Sequence, residues 1–278
     1  MVKQRLDTLL LNLGLCNSRQ QAQRLILAGE VTVNQQIVDK PGTEVDTCAQ
    51  IQVKQRSRFV SRGGEKLAKA IETFAISVEG RICIDGGIST GGFTDCLLQA
   101  GAKLVYGVDV GYGQLDWKLR NDTRVILRER TNLRYLTPEQ LYGVSPEQIT
   151  YADLGVVDVS FISLTKVLRA LWSLLQPPRE VVLLVKPQFE VGKDRVGKKG
   201  VVRDLKASAD AIFQVLQTAW ELGWKYKGLT YSPITGPAGN IEYLLWLSMY
   251  SETPPPNLEI IQQIAKSAVI NLRENHTS

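Results

Sequence analysis

The spacing of apolar residues changes partway along the chain. Between residues 5 and 29 they recur at helical intervals. Leu6, Leu9, Leu10 and Leu13 form an i, i+3, i+4, i+7 stripe, and Ala22, Leu25 and Ile26 line a second face. Gly14 and Gly29 stand where the two helices would stop. Ser18 and Gln21 fit a capping box, in which the hydroxyl accepts an orphan N–H and the glutamine reaches back. VTVNQQIV at 31–38 then reads as a hairpin, Pro41-Gly42 as a turn and IQV at 51–53 as a strand. Some 55 residues bury only a small core. The pattern predicts a small α+β domain over residues 1–57.

From residue 59 apolar runs alternate with longer helical stretches. The runs are RICI (81–84), LVYGVD (104–109), VIL (125–127), VVDVSF (156–161), VVLLVK (181–186), WKYKGLTY (224–231) and YLLWLSMY (243–250). Helices are expected over 90–100, 163–175 and 206–222. Such alternation means βαβ units and a mostly parallel sheet with helices on both faces. Only SPITGPAGNIE joins the last two strands, too short for a parallel crossover, so they must be antiparallel. The expected fold is α/β with an antiparallel last strand, which at fold level resembles the class I (Rossmann-like) methyltransferases. It spans 58–250, with 58–66 as a basic linker. SETPPPN opens an extension, 251–278, whose segment 257–273 suits an amphipathic helix.

Composition narrows the function classes. The chain has 278 residues, 44% hydrophobic, and no apolar run near the roughly 20 residues that span a bilayer. MVKQRLD has no apolar signal region, and Cys16, Cys48, Cys83 and Cys96 are scattered without a C-x-x-C pair. Reduced thiols, no metal site, no membrane partner and a cytoplasmic location are expected. The net charge is +5, and the basic residues cluster: Lys54, Arg56, Arg58, Arg62 and Lys66, then Lys193, Arg195, Lys198, Lys199 and Arg203. A polyanion partner fits this distribution, as do plain solvated loops. The single histidine is His276, near the end.

DGGISTGGFTD, residues 85–95, follows the first strand of the larger domain and opens a helix, where ligands of parallel sheets sit. It lacks the G-x-G-x-x-G of dinucleotide sites. GISTG matches a nucleophile elbow, but a Ser-His triad would have to recruit His276. A third reading is S-adenosylmethionine, with a ligand-free turn as the alternative. Glycines would let backbone approach the cofactor. Asp109, 24 residues after Asp85, could accept ribose hydroxyls, and Asp85 could face the amino group. The candidate cofactor residues are Asp85, Gly86, Gly87, Ser89, Thr90, Gly91, Gly92, Phe93 and Asp109.

RLDTLL followed by SRQQAQRLILAGEVTVNQQIV resembles the alpha-L RNA-binding fold of the ribosomal protein S-four family. DGGISTGGFTDCLLQAGA, with VSRGGEKL, GVDVGYGQL, ERTNLRYL, VDVSFISL, LLVKPQFE and GPAGNIEYL, resembles the TlyA (hemolysin A) family, a branch of the FtsJ-like RNA 2'-O-ribose methyltransferases. The resemblance covers roughly residues 2–250. Gly87 departs from it slightly, standing where another small residue is frequent. The resemblance implies S-adenosyl-L-methionine as cofactor and a cytidine 2'-hydroxyl of ribosomal RNA, in the 16S or 23S chain or both, as acceptor. Ribosomal subunits would be the partners. It also implies a catalytic Lys-Asp-Lys-Glu tetrad at Lys66, Asp158, Lys186 and Glu242. Lys186 would orient and deprotonate the hydroxyl, Asp158 and Glu242 would position it, and Lys66 would stabilise charge. RNA contacts are expected from Arg5, Arg19, Arg24, Arg56, Arg58, Arg62, Lys193, Lys198 and Lys199. A non-catalytic assembly factor on the same fold and a pore-forming hemolysin are the alternatives.

Overall fold

A computed structural model of the protein describes residues 2–54, 58–143 and 151–274. The chain divides into two compact units, Met1–Ser57 and Arg58–Ser278.

In the first unit, β1 (Lys3–Arg5) leads into α1 (Leu6–Asn12), then α2 (Arg19–Leu27), β2 (Val31–Val33), β3 (Gln36–Ile37), β4 (Glu44–Asp46) and β5 (Ile51–Val53). Leu6, Leu9, Leu10, Ala22, Leu25 and Ile26 meet in one small core, whereas Leu13, the last position of the first stripe, is exposed. Ser18 Oγ accepts the Gln21 N–H at 3.2 Å, and Gln21 Oε1 accepts the N–H of Asn17 rather than that of Ser18. β2 pairs antiparallel with both β3 and β5.

The second unit opens with α3 (Gly63–Phe74) and continues through β6 (Ile82–Gly86), α4 (Gly92–Gln99), β7 (Leu104–Val108), α5 (Trp117–Arg120), β8 (Val125–Arg128), α6 (Pro138–Tyr142), β9 (Ala152–Val157), α7 (Leu168–Leu174), β10 (Leu175–Val185), α8 (Pro187–Glu190), α9 (Leu205–Leu222), β11 (Lys225–Tyr231), β12 (Tyr243–Ser248) and α10 (Leu258–Glu274). Its seven strands lie in the order β11-β12-β10-β9-β6-β7-β8. β12 runs antiparallel to both neighbours, and the pairs from β10 to β8 are all parallel. This is the Rossmann-like sheet expected of the larger domain. One face packs under α3 and α4 through Leu67 and Leu97. The other packs under α7, α9 and α10 through Leu171, Ile212 and Ile261. The extension is therefore part of this core: Ile261, Ala265 and Ala268 of α10 are fully buried.

Several boundaries differ from the sequence reading: α3 begins inside the 58–66 linker, β10 begins six residues before its apolar run, and two more lie beside the sheet's ligand edge. The apolar run at 156–161 is not itself the strand. β9 covers Ala152–Val157 and stops before Asp158, whose N–H is held by Gly86 O at 2.9 Å. The expected helix over 163–175 is a 3-10 turn at Leu164–Lys166 followed by the short α7. The buried Glu190 carboxylate explains the break. It accepts the Ser163 hydroxyl and the Leu164 N–H, capping the turn, and burial raises its pKa above the ordinary value.

Candidate active site

The carboxyl ends of β6, β7, β9 and β10 and the start of β12 converge at one edge of the sheet. Two clefts open there. One, of about 530 Å³, is lined by Gly87, Ser89, Asp109, Asn132, Leu133 and Phe161, among others. Its neighbour, of about 300 Å³, is lined by Arg62, Lys66, Thr90, Lys186 and Glu242, among others. Gly87, Ser89, Asp158 and Ser160 line both. Whatever occupies the first cleft meets whatever occupies the second at these four residues.

The glycine loop makes the wall between the clefts. Gly87 has φ +90, and a Cβ there would lie 2.5 Å from the Asp158 carbonyl oxygen, so a side chain would push the loop off β9. Gly92 of α4 lies close against the start of α3, where a Cβ would strike the Ser61 hydroxyl and the Gly64 backbone. Ser89 and Thr90 face the clefts. Gly86 and Gly91 do not line either: the first packs under Leu133 and the second against Leu115 and Leu119. Phe93 is buried and lines the second cleft.

Asp109, just past the end of β7, lines the first cleft. Its Oδ2 accepts the Ser89 N–H at 2.8 Å and its Oδ1 the Gly111 N–H at 2.6 Å. Each oxygen keeps a further lone pair for a ligand hydroxyl. Asp85 is fully buried. Thr94 Oγ1 donates to its Oδ2 at 2.7 Å, while Oδ1 has no hydrogen-bond partner among the described residues. Burial pushes its pKa up to about 7, opposed by the Thr94 hydroxyl. A buried, unpaired carboxylate oxygen beside a glycine cradle suits a cationic ligand group.

The four residues of the expected tetrad come together as two ion pairs. Lys66 Nζ donates to Glu242 Oε2 at 2.6 Å, with side chains 10% and 1% exposed. Lys186 Nζ lies 2.6 Å from Asp158 Oδ1, and its hydrogen bond goes to Ser160 Oγ at 2.8 Å. Lys66 comes from α3, Glu242 from the residue before β12, and Asp158 and Lys186 from just beyond β9 and β10. β12 must run antiparallel for Glu242 to reach this edge.

Two positioning residues escaped the sequence reading. Ser160 fixes Lys186, and its only sequence signal is its place two residues after Asp158. Asn240 is nearly fully buried; its Oδ1 accepts the Val202 N–H at 2.9 Å and its Nδ2 donates to Gly200 O at 2.8 Å. It thereby ties the basic insert to the segment carrying Glu242. Phe161 was also unexpected. It is 92% exposed at the rim of the first cleft, has φ +63, and leans on Phe189 with ring centroids 5.3 Å apart. A bulky residue at positive φ is a strained arrangement that a packed environment or a function must hold.

The expected RNA contacts are dispersed. Arg5 and Arg19 converge on Asp7 in the first unit, where Arg24 lines a separate groove with Gln21 and Lys54. Arg56 lies outside the described residues. Arg58 pairs loosely with Glu72 at 3.5 Å and stacks on Phe59. Arg62 is exposed at the second cleft. Lys193, Lys198 and Lys199 are exposed, while Arg195 between them is tied to Asp204 and Asp210.

Comparison with known proteins agrees with this geometry. Residues 59–249 match the FtsJ-like methyltransferase family, and residues 4–51 match the S4 domain. The chain is 51% identical over 245 residues to the 16S/23S rRNA (cytidine-2'-O)-methyltransferase TlyA of Mycobacterium tuberculosis, covering 87% of this chain and 89% of that one. It is 43% identical over 240 residues to Hemolysin A of Brachyspira hyodysenteriae, covering 86% and 98%. A solved structure from Streptococcus thermophilus, provisionally described as a hemolysin, is 42% identical and superposes over the full length of both chains with a TM-score of 0.75. The chain is a member of the FtsJ-like methyltransferases, in the TlyA/hemolysin A branch that carries an N-terminal S4 domain.

Proposed function

We propose that this protein transfers a methyl group from S-adenosylmethionine to the 2'-hydroxyl of a cytidine in ribosomal RNA, acting in the cytoplasm on ribosomal subunits. The observation that carries the reading is that two Lys–carboxylate pairs line the second cleft, one of them, Lys186–Asp158, beside the wall shared with the first. In this reading 1–57 is the RNA-binding domain, 58–250 the catalytic domain and 251–278 an extension that completes its core.

The cofactor supplies an electrophilic methyl on a sulfonium. At the first cleft Asp109 fits the ribose and the Gly87 turn allows close approach; Asp85, buried behind the loop and outside the cleft lining, offers Oδ1 for the amino group. The acceptor hydroxyl is a weak nucleophile and needs alignment and a destination for its proton. Lys186 Nζ is held by Asp158 and Ser160 beside the junction, where it can orient the hydroxyl; once it has released a proton to solvent, the neutral amine can take the hydroxyl proton. The Lys66–Glu242 pair closes the opposite side of the second cleft and balances charge beside the incoming phosphate. The exposed Phe161 offers a stacking surface for a base that has left its helix.

The test is transfer of labelled methyl to separated 30S and 50S subunits lacking the modification, alongside Lys186→Ala. Label in the ribose of one rRNA, absent with the variant, is the expected result. No transfer to either subunit by a protein that still binds cofactor would refute the reading.

A further inference from the structure

The carboxylate of Asp7 is fully buried in the first unit, yet the two arginines that reach it are half-exposed. Arg5 approaches it as a fork, with Nε to Oδ1 at 3.1 Å and Nη2 to Oδ2 at 2.9 Å. Arg19 Nε reaches Oδ2 at 3.1 Å from the start of α2, and Gln23 Nε2 reaches the same oxygen at 3.1 Å. Thr8 Oγ1 adds a contact to Oδ1 at 3.3 Å. The two arginine side chains remain 49% and 54% exposed. The Arg5 bonds hold the Asp7 pKa well below the usual carboxylate range, so it stays charged through the working pH range.

We infer that Asp7 is a positioning residue for RNA binding: it fixes Arg5 and Arg19 as a prearranged pair of guanidinium forks that receives adjacent phosphate groups. The inference rests on the reading of the first unit as an RNA-binding module. A guanidinium has five N–H donors. Asp7 takes two from Arg5 and one from Arg19, which leaves donors on the exposed edges of both. Arginine side chains carry large rotamer entropy, and ordering them on binding opposes affinity. Here a buried anion has ordered them beforehand. It costs one negative charge inside the cluster, which still carries a net charge of +1 from two arginines and one aspartate.

Simple charge counting and this inference therefore predict opposite signs. Asp7→Asn removes a negative charge from a phosphate-binding surface, and electrostatics alone would tighten binding. The inference expects the full-length variant to bind unmodified 23S rRNA transcript roughly 3- to 10-fold more weakly. The dependence on salt concentration should keep its slope, because both arginines still reach phosphate. Arg5→Lys with Arg19→Lys keeps the charge but loses the forks, and should weaken binding similarly. Binding would be measured by filter retention over a salt series, with circular dichroism to check folding.

A folded Asp7→Asn protein that binds as tightly as the parent, or more tightly, overturns the inference. If Asp7→Asn fails to fold, the double lysine variant decides: undiminished affinity there overturns it, and weaker binding at unchanged charge supports it. Arg5→Ala with Arg19→Ala should lower the salt slope by about 0.9 for each duplex phosphate that is no longer neutralised. Undiminished affinity and slope in that variant would instead refute the RNA-binding reading of this surface, whatever Asp7 does.

Discussion

Removing Glu242 separates the structural from the chemical role of the tetrad. Its carboxylate is 1% exposed and 2.6 Å from a lysine that is itself 10% exposed. Glu242→Ala leaves the Lys66 ammonium in that site without its counter-charge. Breaking a buried pair on one side costs about 3–5 kcal/mol. Lys66 borders an open cleft that water can enter, which places the expected cost toward ~3 kcal/mol. At about 2–4 °C per kcal/mol for a unit of this size, Tm should fall by about 6–12 °C. Lys66→Met with Glu242→Leu removes both charges, and such replacements are frequently neutral for stability. The double variant should therefore regain most of the lost Tm, while methyl transfer stays abolished in both. Thermal denaturation by circular dichroism, paired with transfer of labelled methyl to ribosomal subunits, reads the two effects separately. A fall in Tm below about 2 °C for Glu242→Ala, or a double variant no more stable than the single, would refute the buried interlock. Methyl transfer by the double variant would refute the catalytic assignment.

Asp85 should make the ligand-free protein pH-sensitive. Its pKa is raised from 3.8 to about 7 in the folded state, so its contribution is fully present below about pH 4 and is lost as pH rises through 7. At about 1.36 kcal/mol per unit this is on the order of 4 kcal/mol, and Asp85→Asn should flatten the Tm-versus-pH curve between pH 4 and 8; identical curves for the two proteins would contradict it. Phe161→Ala should lower kcat/KM for rRNA by about 10- to 100-fold, the worth of one stacked base, with Phe161→Trp restoring it. Equal kcat/KM in all three proteins would dismiss the stacking role. Asn240→Ala should cost about 1–3 kcal/mol by orphaning the Val202 N–H and the Gly200 carbonyl, and should expose the 191–204 insert to limited proteolysis; an unchanged cleavage rate would argue against the tie.

The seven-stranded sheet was legible from local pattern, because strands and helices are encoded by apolar periods of a few residues. VVLLVK reads as a buried strand, and the 18 residues of α9 read as a helix, whatever lies elsewhere. The antiparallel last strand followed from the length of one connection. The glycine loop was legible because backbone approach leaves a compositional trace: at Gly87 a positive φ and the adjacent Asp158 carbonyl favour glycine. Boundaries were less so. The strand near Asp158 lies earlier than its apolar run, and the helix expected over 163–175 is broken because Glu190, 26 residues beyond Leu164, caps a separate turn there.

The tetrad could be named in the sequence only by resemblance. A lysine and a glutamate 176 positions apart carry no local sign that they will touch. Their pairing depends on α3 covering one face of the sheet and on β12 inserting between β10 and β11. Asp7 lies at the far end of the same scale. The sequence shows an acid among basic residues, which alone would suggest a weakened polyanion surface. Tertiary structure buries that carboxylate and brings Arg19, twelve residues away, and Gln23, sixteen away, onto it. Sequence by itself determined which segments become strands, helices and a ligand loop, since those follow from short-range periodicity and steric freedom. Which charges are paired, buried or left facing solvent was decided only by tertiary structure, because electrostatic interaction depends on distance in space and on exclusion of water, and neither is encoded by neighbouring positions in the chain.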